Sequence, residues 1–162
     1  MNDNEIICHK VGVVDVKHGR NFKIVEPVNI YSCVFGDNCF VGPFVEIQRN
    51  VVVGNHTSIQ SHTFVCDKVV IGNNCFVAHG VMFINDLFKA GSSSNEAKDW
   101  LPTIIGNNVS IGSNSTILPV KICDNVVIGA GSVVVKNIVE SGVYVGNPAR
   151  LLRKLKKMPI KL

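Results

Sequence analysis

The stretch that decides the fold runs from Phe35 to Phe83 and reads, in blocks of six, FGDNCF VGPFVE IQRNVV VGNHTS IQSHTF VCDKVV IGNNCF VAHGVM F. The residue that opens each block is large and apolar in all nine cases. Neither an α-helix nor an alternating β-strand produces a period of six over this length. A short repeat of fixed period is typical of solenoids, in which small units stack on one another. The period therefore predicts a stacked β-helix.

A second regularity falls three residues after the apolar position, where asparagine and glycine dominate. These two residue types tolerate a positive φ. A left-handed turn residue in every hexad predicts a triangular coil with three short strands and three corners. Three hexads make one coil, so residues three hexads apart stack ~4.8 Å from one another. The positions are Asn38, Asn50, Asn74, Gly80, Asn108, Asn114, Asn125, Gly131 and Asn137.

The composition indicates one domain that does not span a membrane. The chain has 162 residues, of which 46% are hydrophobic and 17% are charged, enough for a substantial core. No apolar run approaches the ~20 residues of a membrane span, and the first residues lack a signal-peptide pattern. We therefore expect a cytoplasmic protein whose six cysteines are buried free thiols rather than disulfides.

The formal net charge of +4 is unevenly distributed. Residues 1–149 carry ten basic and twelve acidic side chains, whereas the last thirteen residues are basic without an acid. No aromatic residues are interleaved with the basic cluster, which argues against nucleic-acid binding. The cluster consists of Arg150, Arg153, Lys154, Lys156, Lys157 and Lys161.

The repeat is interrupted after Phe83. Residues 85–102 read NDLFKAGSSSNEAKDWLP, and the period resumes at Ile105. Loops of this length inside compact domains usually serve a function. A one-residue slip at Pro119-Val120 predicts a tight corner or a bulge further on.

The C-terminal segment begins with the sequence Gly146-Asn147-Pro148-Ala149. The leucines that follow give residues 150–157 an apolar side and predict a short basic helix. The sequence thus divides into an N-terminal cap with a first coil (1–34), a β-helix with an extruded loop (35–145, loop 85–102) and a C-terminal segment (146–162).

Stacking arithmetic brings several polar residues near the loop. His79 lies one coil above Ser61, diagonal to His62. Asn85 and Asp86 lie one coil above residues 67 and 68, on the next corner. Gln60 adds an amide where most hexads carry a small residue. His56 and His62 also fit as turn residues without a function, because histidine is tolerated at positive φ.

From about Val11 to Ala149, the repeat resembles that of the hexapeptide-repeat acyltransferases. The resemblance implies an all-β fold, a left-handed parallel β-helix. The run Val81-Met82-Phe83-Ile84-Asn85-Asp86-Leu87, the extruded loop and the ending Gly146 to Ala149 are similar to one subgroup. Its members acetylate the amine of nucleotide-linked aminosugars for bacterial surface polysaccharides.

The subgroup resemblance also implies ligands and roles. Members form trimers, bind acetyl-CoA between neighbouring coils and bind the sugar near the loop; no metal is implied. Asn85 would orient the sugar amine, and His79 would assist as a catalytic residue. The other implied contacts are Gln60, His62, Asp86 and Trp100 for the sugar substrate, and Asn147, Pro148, Ala149, Arg150 and Arg153 for acetyl-CoA.

The chemistry fits these residue types. A neutral amine must attack a thioester carbonyl; an amide can position it, and an imidazole can take its proton. We favour a dTDP-linked 3-amino-3,6-dideoxyhexose as acceptor, with UDP-linked 3-amino sugars and 4-amino sugars left open. A hydroxyl acceptor would need a strong base and is the alternative on the same fold.

Two other classes compete. A metal enzyme resembling the trimeric β-helix carbonic anhydrases would need three converging histidines, but His56 lies on a different corner from His62 and His79. A non-catalytic β-helix scaffold would leave the extruded loop without an explanation.

Outward apolar residues predict self-association. A monomer would leave such a surface uncovered, and we expect a homotrimer with active sites between subunits. The candidates for one outward face are Phe40, Val52, Phe64, Phe76 and Met82.

Overall fold

The computed structural model describes residues 11–94 and 96–155, which form a β-helix. Its three sheets, parallel except for the last strand of one of them, are the sides of a triangular prism. The prediction of an all-β coil is confirmed. Sheet A has seven strands: β1 (Val13–Val14), β4 (Asn29–Tyr31), β7 (Glu46–Ile47), β10 (Phe64–Val65), β13 (Met82–Phe83), β16 (Thr116–Ile117) and β19 (Val133–Val134). Sheet B has six: β2 (Lys17–His18), β5 (Val34–Phe35), β8 (Val52–Val53), β11 (Val69–Ile71), β14 (Thr103–Ile105) and β17 (Lys121–Ile122). Sheet C has eight: β3 (Lys23–Ile24), β6 (Phe40–Val41), β9 (Ser58–Ile59), β12 (Phe76–Val77), β15 (Ser110–Ile111), β18 (Val126–Ile128), β20 (Gly142–Val145) and β21 (Arg150–Arg153).

The register of the strands follows the hexad count. Val52 pairs with Val70 in the next coil, and Ile104 pairs with Lys121. The second pair is one residue closer in sequence than the first, which confirms the slip at Pro119-Val120. Strands β1 to β4 belong to the same three sheets, so the described part of residues 1–34 extends the coil.

The apolar repeat forms the core of the prism. All nine of its positions are buried, with at most 3% of any side chain exposed, and the column continues through Ile105, Ile111 and Ile117. The five cysteines within the described residues are free, four of them buried. Burial raises the pKa of Cys33 to about 11 and that of Cys66 to about 12. These thiols therefore stay protonated near neutral pH and pack as small apolar groups.

The corners use left-handed residues as predicted. From residue 38 to residue 131, a residue with positive φ lies three positions after the apolar one in every hexad except two, which begin at Phe83 before the loop and at Ile117 before the slip. Asn137 also lacks a positive φ, and its Oδ1 accepts the Lys121 N–H at 2.8 Å. The left-handed residues are Asn38, Phe44, Asn50, His56, His62, Lys68, Asn74, Gly80, Asn108, Asn114, Asn125 and Gly131.

One edge of the prism carries a ladder of side-chain hydrogen bonds. The side-chain oxygen of an Asn or Asp in one coil accepts the backbone N–H of its counterpart in the coil before. The distances are 2.7 to 2.8 Å. The preceding glycines leave room for it, because a Cβ at Gly36 would lie 2.3 Å from Asn55 Oδ1. The rungs are contributed by Asp37, Asn55, Asn73, Asn107 and Asp124.

The prediction of a C-terminal helix over residues 150–157 is wrong for residues 150–155, the part that the structure describes. Arg150–Arg153 form β21, which runs antiparallel to β20 at the edge of sheet C. The unpaired edge of β20 gives these backbone groups partners that an isolated turn of helix would lack. Residues 156–162 lie outside the described part. No helix among residues 11–94 and 96–155 is long and apolar enough to cross a membrane.

The five outward apolar candidates do not share a face. Phe40 and Phe76 lie on sheet C, Val52 lies on sheet B, and Phe64 and Met82 lie on sheet A. A face recurs only every three hexads, whereas the first four of these residues are two hexads apart. Sheet B carries an unbroken outward apolar column, formed by Val34, Val52, Val70 and Ile104.

Candidate active site

The polar candidates fall on two corners of the prism that flank sheet A. We call residues 42–45, 60–63 and 78–81 the histidine corner, which joins sheet C to sheet A. We call residues 48–51, 66–68 and 84–102 the loop corner, which joins sheet A to sheet B. The extruded loop occupies the whole interval between β13 and β14, as the sequence predicts.

On the histidine corner, His79 is exposed and held from below by Ser61. Ser61 Oγ lies 2.9 Å from His79 Nδ1, which confirms the stacking predicted from the sequence. When Nδ1–H donates to Ser61 Oγ, the Nε2 lone pair faces solvent and can accept a proton. In the other tautomer Ser61 Oγ–H donates to Nδ1, and Nε2 carries the proton; in both, the contact fixes the orientation of the ring. Gln60 is half-buried at the start of the same corner.

His62 lies one coil below, next to the pair rather than in it. Its ring stacks on Phe44, with centroids 4.9 Å apart and planes inclined by 30°. Both residues have positive φ, so His62 is a turn residue as well as an exposed aromatic group.

On the loop corner, Asn85 begins the extruded loop. Its Nδ2 donates to the backbone oxygen of Asp67 at 3.4 Å, and its own backbone oxygen accepts the Leu101 N–H at 2.9 Å. Within the described residues no donor reaches Asn85 Oδ1. The side chain is therefore fixed on one side and offers an acceptor on the other, which suits the positioning role the sequence predicted.

Beneath Asn85 lies a buried carboxylate that sequence reasoning missed. The side chain of Asp67 is 2% exposed; its oxygens accept from Arg49 Nε at 3.1 Å and Asn50 Nδ2 at 3.0 Å. Its backbone N–H donates to Gln48 Oε1 at 3.1 Å. These contacts hold the turn whose carbonyl supports Asn85. A single acid among turn residues gives no sequence signal of such pairing.

The loop is tied down by its own side chains. Asp86 Oδ1 accepts the Phe88 N–H at 2.8 Å, and Asp86 Oδ2 accepts the Ser94 N–H at 2.7 Å. Trp100 Nε1 donates to Ser94 O at 3.0 Å. Both oxygens of Asp86 are thus engaged in shaping the loop, and the sugar-contact role predicted for Asp86 and Trp100 stays a prediction.

Lys68 fastens the loop to the coil. Its Nζ donates to the carbonyl oxygens of Ala97 and Trp100, the latter at 2.9 Å. Ala97 begins a short 3₁₀ turn, Ala97–Asp99, so the lysine caps the only helical turn among the described residues. A depression of about 470 Å³ opens inside the loop, between Asp86, Lys98 and Leu101.

His79 and Asn85 lie on different corners of one chain. Five residues separate them, including strand β13, and each makes its hydrogen bond to a different residue of the coil below. Among the described residues no hydrogen bond joins the two side chains.

A further depression lies at the C-terminal end of the coil. It measures about 270 Å³ and is lined by Ala149 and Arg150 together with Lys136, Asn137 and Tyr144 among others. The Tyr144 hydroxyl donates to Glu140 O at 2.8 Å, and burial raises its pKa. Of the five residues predicted to bind acetyl-CoA, Asn147, Pro148 and Arg153 lie outside this lining and are exposed.

The three histidines do not converge. His56 lies between β8 and β9, on the corner that joins sheet B to sheet C. Across residues 11–94 and 96–155, no group of three or more His, Cys, Asp or Glu side chains could hold a metal ion.

Comparison with known proteins identifies the repeat. Residues 32–67 match the family "Bacterial transferase hexapeptide (six repeats)", and residues 102–136 match "Hexapeptide repeat of succinyl-transferase". The chain is similar to the bifunctional protein GlmU of Streptococcus uberis, with 27% identity over 165 residues. That alignment covers 95% of this chain and 36% of GlmU, so the chain spans about a third of that relative's length.

Two solved structures share the fold. A maltose O-acetyltransferase from Clostridium difficile is 30% identical, with a TM-score of 0.55 and coverage of 86% of this chain and 69% of that one. A variant of AntD, an N-acyltransferase from Bacillus cereus, was solved with dTDP-4-amino-4,6-dideoxyglucose and coenzyme A. It is 22% identical, with a TM-score of 0.76 and coverage of 88% and 85%. Two matching repeat families and a transferase relative of this identity and coverage show that the chain belongs to the hexapeptide-repeat acyltransferase superfamily.

Proposed function

We propose that this protein transfers acetyl from acetyl-CoA to the amine of a nucleotide-linked aminosugar. The acceptor we favour is a dTDP-linked 3-amino-3,6-dideoxyhexose, and the reaction would serve surface-polysaccharide synthesis in the cytoplasm. One observation carries the proposal: the Asn85 amide stands at the base of a tied-down loop, where Nδ2 lies 3.4 Å from Asp67 O and Oδ1 has no partner among the described residues.

Asn85 would act by position. An amide oxygen accepts an N–H of the sugar amine and aims the nitrogen lone pair at the thioester carbonyl. Holding the two reactants at attack distance removes a large part of the barrier. The C–N bond forms, the C–S bond breaks, and coenzyme A leaves as the thiol.

His79 would accept the proton that the amine loses. Its Nε2 is presented to solvent when Nδ1 is held by Ser61 at 2.9 Å. An amine acceptor needs this help less than a hydroxyl does, because its proton can leave after the C–N bond forms, even to the departing thiolate. We therefore assign His79 a supporting role and Asn85 the larger one.

Acetyl-CoA would bind along the upper coils. The depression beside Ala149 and Arg150 also contains Lys136, so two cations border it. Cationic side chains of this kind attract the phosphates of coenzyme A. The other contacts we propose for this cosubstrate are Asn147, Pro148 and Arg153.

A trimer would complete the site. His79 and Asn85 belong to the same coil, at opposite ends of sheet A. A threefold axis parallel to the coil, with sheet A facing it, brings the histidine corner of one protomer beside the loop corner of the next at equal height. Sheet A is the side that adjoins both corners, and it presents Phe64 and Met82 outward; the longer apolar column of sheet B adjoins the loop corner but not the histidine corner.

The relatives support the chemical class. AntD, which shares the fold, was solved with a dTDP-linked aminosugar and coenzyme A. The test is a thiol-release assay over a panel of nucleotide aminosugars, with the corresponding hydroxyl sugars as controls. We expect release only with an amine acceptor. Absence of coenzyme A binding at millimolar concentration, measured by calorimetry, would refute acetyl transfer altogether.

An O-acetyltransferase is the second candidate. The Ser61–His79 pair favours it, because a hydroxyl nucleophile needs an oriented base. The 30% identical maltose O-acetyltransferase adds support. Thiol release with hydroxyl acceptors alone would establish this alternative.

A further inference from the structure

Phe44 occupies a backbone conformation that suits it poorly. Its φ is +59°, in the left-handed region, and 58% of the residue is exposed. Positive φ is unusual for a bulky side chain, and most equivalent corners of this coil carry Asn or Gly. A strained residue that contributes little to the core is a candidate for a function.

The Phe44 ring belongs to a two-ring aromatic stack. It stacks on the His62 ring one coil above, with centroids 4.9 Å apart. The two backbones follow each other at the corner, where the His62 N–H donates to Pro43 O at 3.2 Å. The stack covers one face of the Phe44 ring and gives the ring a defined orientation.

A depression of about 340 Å³ lies beside Phe44. Apolar residues line most of it, including Pro27 and Val28, while Asn29 and Glu46 supply its polar groups. Asn29 and Glu46 are register partners on neighbouring strands. Gln48 Nε2 donates to Glu46 Oε1 at 3.5 Å, and among the described residues Glu46 Oε2 has no hydrogen-bond partner. Such a site suits a flat group whose face is apolar and whose edge carries both a donor and an acceptor.

The depression is aligned with the proposed reaction centre. Phe44, His62 and Gly80 hold the same corner position in successive coils, and His79 precedes Gly80. Two coil spacings place Phe44 roughly 10 Å below His79. In a nucleotide-linked sugar, the sugar, the diphosphate and the ribose separate the amine from the base.

We propose that the depression beside Phe44 binds the base of the nucleotide sugar, and that it selects a uracil or thymine ring. This inference rests on the proposed function. The ring stacks on Phe44, its N3–H donates to the Glu46 carboxylate, and a neighbouring carbonyl accepts from the Asn29 amide. Cytosine lacks the N3–H and would place an acceptor against the carboxylate.

The test uses calorimetry with free dTDP, UDP and CDP, and separately with coenzyme A. We expect wild type to bind dTDP and UDP but to bind CDP at least tenfold more weakly. Phe44→Asn should weaken dTDP binding by about tenfold, since base–aromatic stacking is lost. It should also raise Tm by roughly 2–4 °C, because asparagine suits the turn. Phe44→Tyr should restore dTDP affinity, and Phe76→Asn, which removes an exposed phenyl elsewhere, should leave it unchanged.

The outcomes separate this inference from the proposed function. Unchanged dTDP affinity in Phe44→Asn overturns the stacking role, and a lowered Tm overturns the strain argued for Phe44. Glu46→Gln is an independent test: it should weaken dTDP binding and reduce the difference in affinity between dTDP and CDP, and an unchanged preference overturns the base assignment. Thiol release with a dTDP- or UDP-linked aminosugar that is unaltered in Phe44→Asn and Glu46→Gln overturns this inference alone, whereas loss of coenzyme A binding removes the proposed function.

Discussion

His79 and Asn85 lie on one coil but leave the prism at different corners, at the two ends of the short strand Met82–Phe83. Each has a partner from the coil below, Ser61 for His79 and the backbone of Asp67 for Asn85. Both groups are therefore oriented before any ligand binds. In the proposed trimer, the histidine of one chain would face the asparagine of the next.

Mixed oligomers test that arrangement. We expect His79→Ala and Asn85→Ala each to be weakly active alone, and co-assembled chains to regain activity. Random mixing in equal amounts leaves about a quarter of the intersubunit sites with both residues intact. The measurement is specific activity after co-expression with two affinity tags. No recovery in a confirmed mixed trimer would mean that the two residues do not share a site.

Asn85→Ala should lower kcat/KM by roughly 10²-fold or more, because the amine is no longer held at attack distance. Steady-state kinetics with the aminosugar acceptor measure this. Ser93→Ala, an exposed polar change in the same loop, is the matched control and should leave the kinetics unaltered. Activity close to wild type in Asn85→Ala would contradict the positioning role.

His79→Ala should reduce kcat/KM less than Asn85→Ala does, because the imidazole has the supporting role. A loss of ~10²–10⁴-fold, together with disappearance of the decline of activity at acid pH, would instead make His79 the general base. Ser61→Ala keeps the imidazole but removes its 2.9 Å partner, so we expect an intermediate loss with the acid decline retained. The pH dependence of kcat/KM in both variants is the measurement. A profile in His79→Ala that matches wild type would exclude this residue as the base.

Lys68→Met should loosen the extruded loop, because Ala97 O and Trp100 O lose their shared donor. We expect faster proteolysis within residues 85–102 and about a tenfold rise in KM for the acceptor, since side-chain hydrogen bonds to a charged donor are worth ~1.5–3 kcal/mol. Lys89→Met, an exposed lysine in the loop, is the control. A loop that resists protease equally in both variants would argue that Lys68 is dispensable.

The buried cysteines should resist alkylation. Burial raises the pKa of Cys33 to about 11 and that of Cys66 to about 12, so little thiolate exists near pH 8. Half-buried Cys123 should react before them. Peptide mass spectrometry after iodoacetamide treatment, with and without denaturant, distinguishes the sites. Rapid labelling of Cys66 in the native protein would show that this coil opens.

The coil was predictable because its rules are local and repeat. An apolar residue every six positions and a left-handed residue three later determine the core and the corners, and the interruption after Phe83 locates the loop. The same counting also places His79 over Ser61. The prediction of a shared outward face failed because a face recurs only every three hexads. Phe40, Val52 and Phe64 are two hexads apart and so lie on three different sheets.

The hexad count could not predict the C-terminal strand or the buried carboxylate of Asp67. The segment Arg150–Arg153 is too short for its apolar pattern to separate helix from strand, and the free edge of β20 decides it. The burial of Asp67 depends on Arg49 and Asn50 folding over it from the coil before. No spacing in the sequence predicts the contacts of Asp67 with these two residues.

The hydrogen bonds of the ladder from Asp37 to Asp124 all point the same way along the coil axis. In each rung, a side-chain oxygen of one coil accepts a backbone N–H of the preceding coil. These hydrogen bonds therefore form only when the neighbouring coil is folded. Folded structure therefore propagates along the coil axis from one coil to the next, and contacts between distant coils do not contribute to it. The loop that carries Asn85 leaves the coil from another corner, between the rungs of Asn73 and Asn107. Coils with rungs of their own therefore lie on both sides of it, and this part of the coil is the last that fraying from the ends would reach.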